Sequence, residues 1–280
     1  MKETKRYISA AVGLVLLAVV LWLIDTILLP IVLSLIGIIA VYEATSVSFS
    51  KVYLRILLPQ AAFVILRLIF PFGLEGDVTL LIFVLFCIGM ISYGKLPLKD
   101  LTCSFFITTL VAYGLPAILK LRDLGITLSD KRILVIYGFG FGWLGDSMAY
   151  SIGKAFGKRK MSPNISPNKT IVGGVSGVLL TTLVSVILFI IYAANANSSS
   201  IFSGRDTPLN LCIMAAVGLV GSIIGVYGDL ALSFVKRETN VKDFSNIMPG
   251  HGGALDRIDN ILFTSVYAYF IFTLLLSAPP

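Results

Sequence analysis

Apolar residues run along this chain in blocks of about 17 to 25, parted by short polar stretches, and that is the length a helix needs to cross a hydrocarbon core about 30 Å thick. Nine such blocks predict nine transmembrane helices, at 7–24, 27–43, 52–72, 78–93, 101–119, 131–152, 171–194, 209–235 and 260–278. Barrel strands would alternate polar and apolar residues, and these blocks do not alternate, so the chain reads as all-α, a polytopic integral membrane protein. N-terminal helices occupy 1–100, a middle group with a first polar loop 101–174, and a C-terminal group with a second polar loop 175–280.

Composition agrees: 57% of the 280 residues are hydrophobic and 13% charged, which excludes a soluble globular domain. Lys2, Lys5 and Arg6 before an apolar run resemble a signal peptide, but no small-residue cleavage site follows, so this run is read as a retained first helix. Cys87, Cys103 and Cys212 lack the paired spacing of a thiolate site or a disulfide framework and are read as buried small hydrophobes.

The net charge of +7 changes the picture through its sidedness rather than its sum. With a cytoplasmic N-terminus, most of the 22 Lys and Arg residues fall in cytoplasmic segments, and the two richest loops follow spans six and eight. No basic stretch is interleaved with a polar domain able to hold a duplex, so nucleic acid is not an expected partner. Glycine, proline, lysine and aspartate concentrate at 142–174 and 225–260, where chemistry is expected. Gly140, Gly142 and Gly145 mimic a dinucleotide-binding loop, but they lie inside a span with no strand before them. They are read as helix-packing residues.

Two acids lie within spans, Asp146 and Asp229, and a charge there costs at least a few kcal/mol unless it is partnered. Asp229 is placed about 10 Å below the inner end of its helix and Asp146 about 12 Å before Lys154, at 1.5 Å per residue. Asp256 and Asp259 follow at helical spacing near the start of the last span. The four are expected to converge near the inner headgroup level. Their hard oxygens, with one histidine and no thiolate, favour Mg²⁺ or a similar cation, with room for a second.

Excess Lys and Arg around such an ion suits phosphates. Gly252 and Gly253, after His251, let backbone amides approach an anion at the start of the last helix, and Ser166, Lys169 and Thr170 open span seven in the same manner.

These residues resemble the phosphatidate cytidylyltransferases, or CDP-diacylglycerol synthases. Ser233, Lys236, Arg237, Lys242, Asp243, Ser245, Pro249, His251, Gly252, Gly253, Asp256, Arg257 and Asp259 match that family's signature in identity and spacing. Asp146, Ala149, Tyr150, Gly153, Lys154, Gly157 and Lys160, then Ser166, Pro167, Lys169 and Thr170, resemble its second block. Met248 and Ala254 are conservative departures; Val172 stands where many members carry glutamate, which leaves no role for that position here.

The resemblance implies that CTP and phosphatidic acid give CDP-diacylglycerol and pyrophosphate with a divalent cation, at the cytoplasmic face of a bilayer such as a bacterial inner membrane. Asp229 and Asp256 would be the catalytic metal ligands, with Asp259 and Asp146 beside them. Ser166, Lys169, Thr170, Lys236, Arg237, Lys242, His251, Gly252, Gly253 and Arg257 would hold substrate phosphates. Self-association is compatible with the sequence. A CTP-dependent lipid kinase would need the same ion, nucleotide and interface. A transporter is disfavoured, because the acids cluster at one depth and no inverted repeat is visible.

Overall fold

The structure, a computed structural model, describes residues 15, 17–49, 53–70, 84–85, 88, 97–195, 202, 207–247 and 252–277. Its elements are helices α1 (Leu28–Phe49), α2 (Leu54–Ile69), α3 (Leu98–Leu124) and α4 (Leu128–Phe156), a hairpin of β1 (Lys160–Ser162) and β2 (Ser166–Thr170), and helices α5 (Ile171–Asn195), α6 (Thr207–Glu238) and α7 (Leu255–Ser277). The fold is a helical membrane fold, and the hairpin is its departure from an all-helical chain among the described residues. Five described helices, α1, α3, α5, α6 and α7, are long and apolar enough to cross a membrane. The span expected at 52–72 is a helix of 16 residues. That at 131–152 is a helix of 29 residues, whose glycines, aromatic rings and Asp146 dilute its hydropathy. The spans expected at 7–24 and 78–93 fall largely outside the described residues.

The choice of side chains that face inward fits a helical membrane fold. Along α5, Gly173, Gly177, Thr181 and Ser185 are buried, followed by Phe189 and Tyr192. Val175, Leu179, Leu183, Ile187 and Ile190 are exposed. Small and polar residues inside, with branched aliphatics outside, is the arrangement expected where lipid replaces water and close backbone approach drives packing. Helix α1 repeats it, exposing Ile31, Leu35 and Ile39 while burying Gly37, Ala40 and Ala44. Cys212 is exposed and Cys103 half-buried, so the cysteines are not uniformly core residues.

The chain divides into two compact units interleaved in sequence: Met1–Leu119 with Val235–Ile258, and Lys120–Phe234 with Asp259–Pro280. In the first unit α1 and α2 pack closely, since a Cβ on Gly37 would lie 2.6 Å from Val64 Cγ1. A buried polar chain crosses three helices there. Thr45 Oγ1 donates to Gln60 Oε1 at 3.2 Å, and Gln60 Nε2 donates to Ser104 Oγ at 3.0 Å.

In the second unit α4 begins at a capping box, with Thr127 N–H donating to Asp130 Oδ2 at 2.8 Å and Asp130 N–H donating to Thr127 Oγ1 at 3.2 Å. The other oxygen of buried Asp130 accepts from the Tyr192 hydroxyl on α5. Tyr137 Oη donates to the Ser185 carbonyl at 2.7 Å, and Thr264 Oγ1 to the Gly138 carbonyl at 2.7 Å, tying α5 and α7 to α4. Of the three glycines that mimic a nucleotide loop, Gly142 lies against Asn260 and Gly145 against Gly177, whereas Gly140 has room for a side-chain methyl.

A Cβ on Gly177 would stand 2.7 Å from the Gly145 carbonyl oxygen, while one on Gly140 meets nothing closer than Leu144 Cδ1 at 3.7 Å. Gly177→Ala should therefore lower stability in detergent by about 1–3 kcal/mol through overpacking against backbone. Gly140→Ala should be neutral or slightly stabilising, because alanine favours a helix by up to about 1 kcal/mol. Equal unfolding midpoints for the two variants would refute the close α4–α5 contact.

Candidate active site

The second unit gathers the two acids that the sequence placed within spans. Helix α4 carries Asp146, α6 carries Asp229, and the hairpin hangs Lys169 from β2. The lysine ammonium makes an ion pair with Asp229 Oδ2 and lies 3.6 Å from Asp146 Oδ1. The hairpin register sets this reach: Lys160 pairs with Thr170 and Ser162 with Ser166, leaving Lys169 one residue before buried Thr170. Thr170 Oγ1 then accepts from Gly173 N–H at 3.2 Å and so caps the start of α5. The helix start that Ser166, Lys169 and Thr170 were expected to open for phosphate is thus a strand whose last side chain serves its own helix.

Helix α7 completes this cluster. Asn260 Nδ2 donates to Asp146 Oδ2 at 2.6 Å, and Asn260 N–H donates to the neighbouring Asp259 Oδ1 at 2.8 Å. Asn260 is 2% exposed, and its Oδ1 has no hydrogen-bond partner among the described residues. Ser233 Oγ stands 3.4 Å from Asp229 Oδ1, a long contact that adds little.

Lys169 holds its proton to higher pH than a free lysine. Burial is the largest single influence and opposes the charge, but the attraction of Asp146 and Asp229, helped by Asp259, outweighs it. A raised lysine pKa stabilises the fold fully below the ordinary lysine value, and that stability is lost only as pH climbs through the raised one. At neutral pH the ammonium is therefore a fixed counter-charge.

Asp256, expected to join these carboxylates on a metal, belongs to the other unit and has its own donors. Lys236 Nζ donates to its Oδ1 at 2.8 Å; Phe244 N–H and Gly253 N–H donate to its Oδ2 at 2.8 and 3.0 Å. Three of about four acceptor positions on a carboxylate are taken. Lys236, 8% exposed, also lies 5.3 Å from the Phe244 ring centroid. Gly252 takes φ +79°, a left-handed conformation open to glycine, and a Cβ there would come 3.0 Å from Asp256 Oδ2. Arg237 Nη1 donates to the Val241 carbonyl at 3.2 Å, and Lys242 and Arg257 are exposed. His251 lies outside the described residues.

The amides at the start of α7, expected to receive a phosphate, are occupied by another anion. Glu43 of α1, fully buried, accepts from Ala254 N–H at 2.9 Å, Leu255 N–H at 2.8 Å and Ser245 Oγ at 2.6 Å. Sequence reading passed over Glu43 and Asn260. The available signal was the same for both: a polar side chain at the edge of an apolar block.

Among the described residues no three His, Cys, Asp or Glu side chains gather into a metal shell. The donor chemistry of the second unit nevertheless fits a hard cation. Asp146 and Asp229 already flank one positive charge, and the unpartnered Asn260 Oδ1 is a further neutral oxygen beside Asp146.

Residues 4–275 match the cytidylyltransferase family. The chain is 38% identical over 132 residues to the phosphatidate cytidylyltransferase of Bacillus subtilis, covering 47% of this chain and 44% of that protein. It is 38% identical over 186 residues to that of Haemophilus influenzae, covering 65% and 60%. With that of Staphylococcus haemolyticus it shares 38% over 137 residues, covering 49% and 48%. The chain thus spans about half the length of the curated relatives it matches. The likeness carried by the segments around Lys169 and Asp256 extends to nearly the whole sequence, and the chain belongs to the cytidylyltransferase family.

Proposed function

We propose that this protein transfers the cytidylyl group of CTP to phosphatidic acid, giving CDP-diacylglycerol and pyrophosphate with Mg²⁺ as cofactor. The observation that carries the reading is the Asp146–Lys169–Asp229 cluster in a chain of this family. A phosphate monoester with second pKa near 6 is largely ionised at neutral pH, so the nucleophile needs little help from a base. One of its oxygens attacks the α-phosphorus of CTP, the bond from that phosphorus to the β-phosphate bridging oxygen breaks, and pyrophosphate leaves with the electron pair. The obstacle is repulsion between anions, and the task is positioning and charge neutralisation.

Asp146 and Asp229, with Asn260 Oδ1 alongside, would hold the cation, which when bound neutralises phosphate charge and polarises the phosphorus it faces. Lys169, whose ammonium balances these carboxylates, would be available to a substrate phosphate. Lys236, Arg237, Lys242, Arg257 and His251 are assigned to phosphates, and Asp256 keeps Lys236 oriented between turnovers. Asp259 is retained as a further ligand for the ion, while Asp256 holds Lys236 within its own unit.

Labelled CTP decides the reaction. With purified protein in detergent, Mg²⁺ and phosphatidic acid, the α label enters the lipid fraction and the γ label leaves as pyrophosphate. Chelation stops the transfer reversibly, and Asp229→Asn lowers it at least about a hundredfold, the scale of removing one charge-stabilising group. A γ label alone in lipid would instead show a kinase, and full activity of Asp229→Asn would remove the metal assignment.

The same reading places nine helices across a bacterial inner membrane, with the loops 153–170 and 236–259 on the cytoplasmic side where CTP is available. Cysteines replacing Lys158 and Lys242 should react with an impermeant thiol reagent only once the inner face is opened. Labelling of both in intact cells would reverse the orientation.

A further inference from the structure

Glu43 takes no part in the reaction argued above, yet its placement demands a reason. It is fully buried in a helix with a mean hydropathy of 2.0. A carboxylate there is costly unless donors meet it. All three of its donors lie far along the chain, with Ser245, Ala254 and Leu255 separated from it by 202, 211 and 212 residues.

These donors sit at the two ends of one loop, Ser245 at its entry and Ala254 with Leu255 at its exit. Asp256 grips the same segment one residue earlier in the chain at each end, through Phe244 N–H and Gly253 N–H. Three successive amides, those of Gly253, Ala254 and Leu255, are thus divided between two carboxylates, which fixes the turn into α7. Gly253 is the residue this requires: a Cβ there would stand 2.6 Å from both Glu43 carboxylate oxygens. The whole segment Val235–Ile258 belongs to the unit that contains Glu43, not to the one holding most of α6 and α7.

We propose that Glu43 is a positioning residue: it clamps Ser245 to Leu255 and thereby presents the Lys236–Asp256 pair to substrate phosphate. Its effect on turnover rests on the cytidylyl-transfer reading; the clamp itself does not. Glu43→Gln keeps the shape but turns one acceptor into an NH₂ group that must face a donor. In the full-length protein in detergent, amide exchange at Ala254 and Leu255 should accelerate about tenfold or more while exchange in α5 is unchanged, as loss of a charge-assisted hydrogen bond requires. Per folded molecule, kcat/KM for CTP should fall about tenfold. If Glu43→Gln does not fold, Ser245→Ala removes a single contact to Oε1 and should show the same local loosening, smaller in size.

Unchanged exchange at those amides overturns the proposal. So does loosening spread evenly through α1–α3 with wild-type turnover per folded molecule, which is what a merely structural role predicts. If the wild-type protein transfers no label from CTP, the functional reading falls and the exchange result still decides the clamp.

Discussion

A charge withdrawn from water must be met by an opposite charge or by hydrogen-bond donors, and in a bilayer protein no solvent stands by to help. The polar architecture of this chain follows from that constraint. Asp130 closes the start of α4 and accepts from Tyr192; Glu43 accepts from two amides and a hydroxyl; Asp256 accepts from a lysine and two amides; Asp146 and Asp229 share Lys169. Acids met by backbone amides and acids met by side chains are handled by the same physics, and what separates them is whether the partner can leave. Backbone amides cannot leave without undoing a helix. A lysine side chain on a short hairpin can turn away without undoing any backbone element.

That difference assigns roles. Lys169 on β2 is the counter-charge shared by Asp146 and Asp229, and the hairpin is the one piece of non-helical regular structure among the described residues, placed where a side chain has to reach two helices at once. The glycines of α4 and α5 permit this, since Gly145 and Gly177 bring the helices close enough for Thr170 to cap α5 beside them. Exposed aliphatic rows along α1 and α5 are what helices long and apolar enough to cross a membrane would present to lipid.

Much of this is legible in the sequence because hydropathy and helical spacing are local properties. The positions of α1, α3, α5, α6 and α7 follow from apolar block length, and the family follows from the spacing of Lys236, Asp256 and their neighbours. What was not legible depended on distant partners. Glu43 looks like the polar end of an apolar block, and nothing nearby reveals donors more than two hundred residues away. The amides before α7 were expected to bind phosphate because a bare helix start attracts anions; the rule holds, but the anion is the protein's own. Lys169 was expected on phosphate for the same reason, and its pairing with Asp146 and Asp229 could not be read from the sequence.

The central claim is that Lys169 is the counter-charge that lets Asp146 and Asp229 share one half-buried site. A double-mutant cycle on unfolding in detergent tests it directly, with Lys169→Met, Asp229→Asn and the two combined. The single Lys169→Met variant leaves two carboxylates facing each other uncompensated, so adding Asp229→Asn should recover stability, with a coupling of about 1 kcal/mol or more. If the two losses simply add, the ammonium is not what holds the acids together, and the account is contradicted.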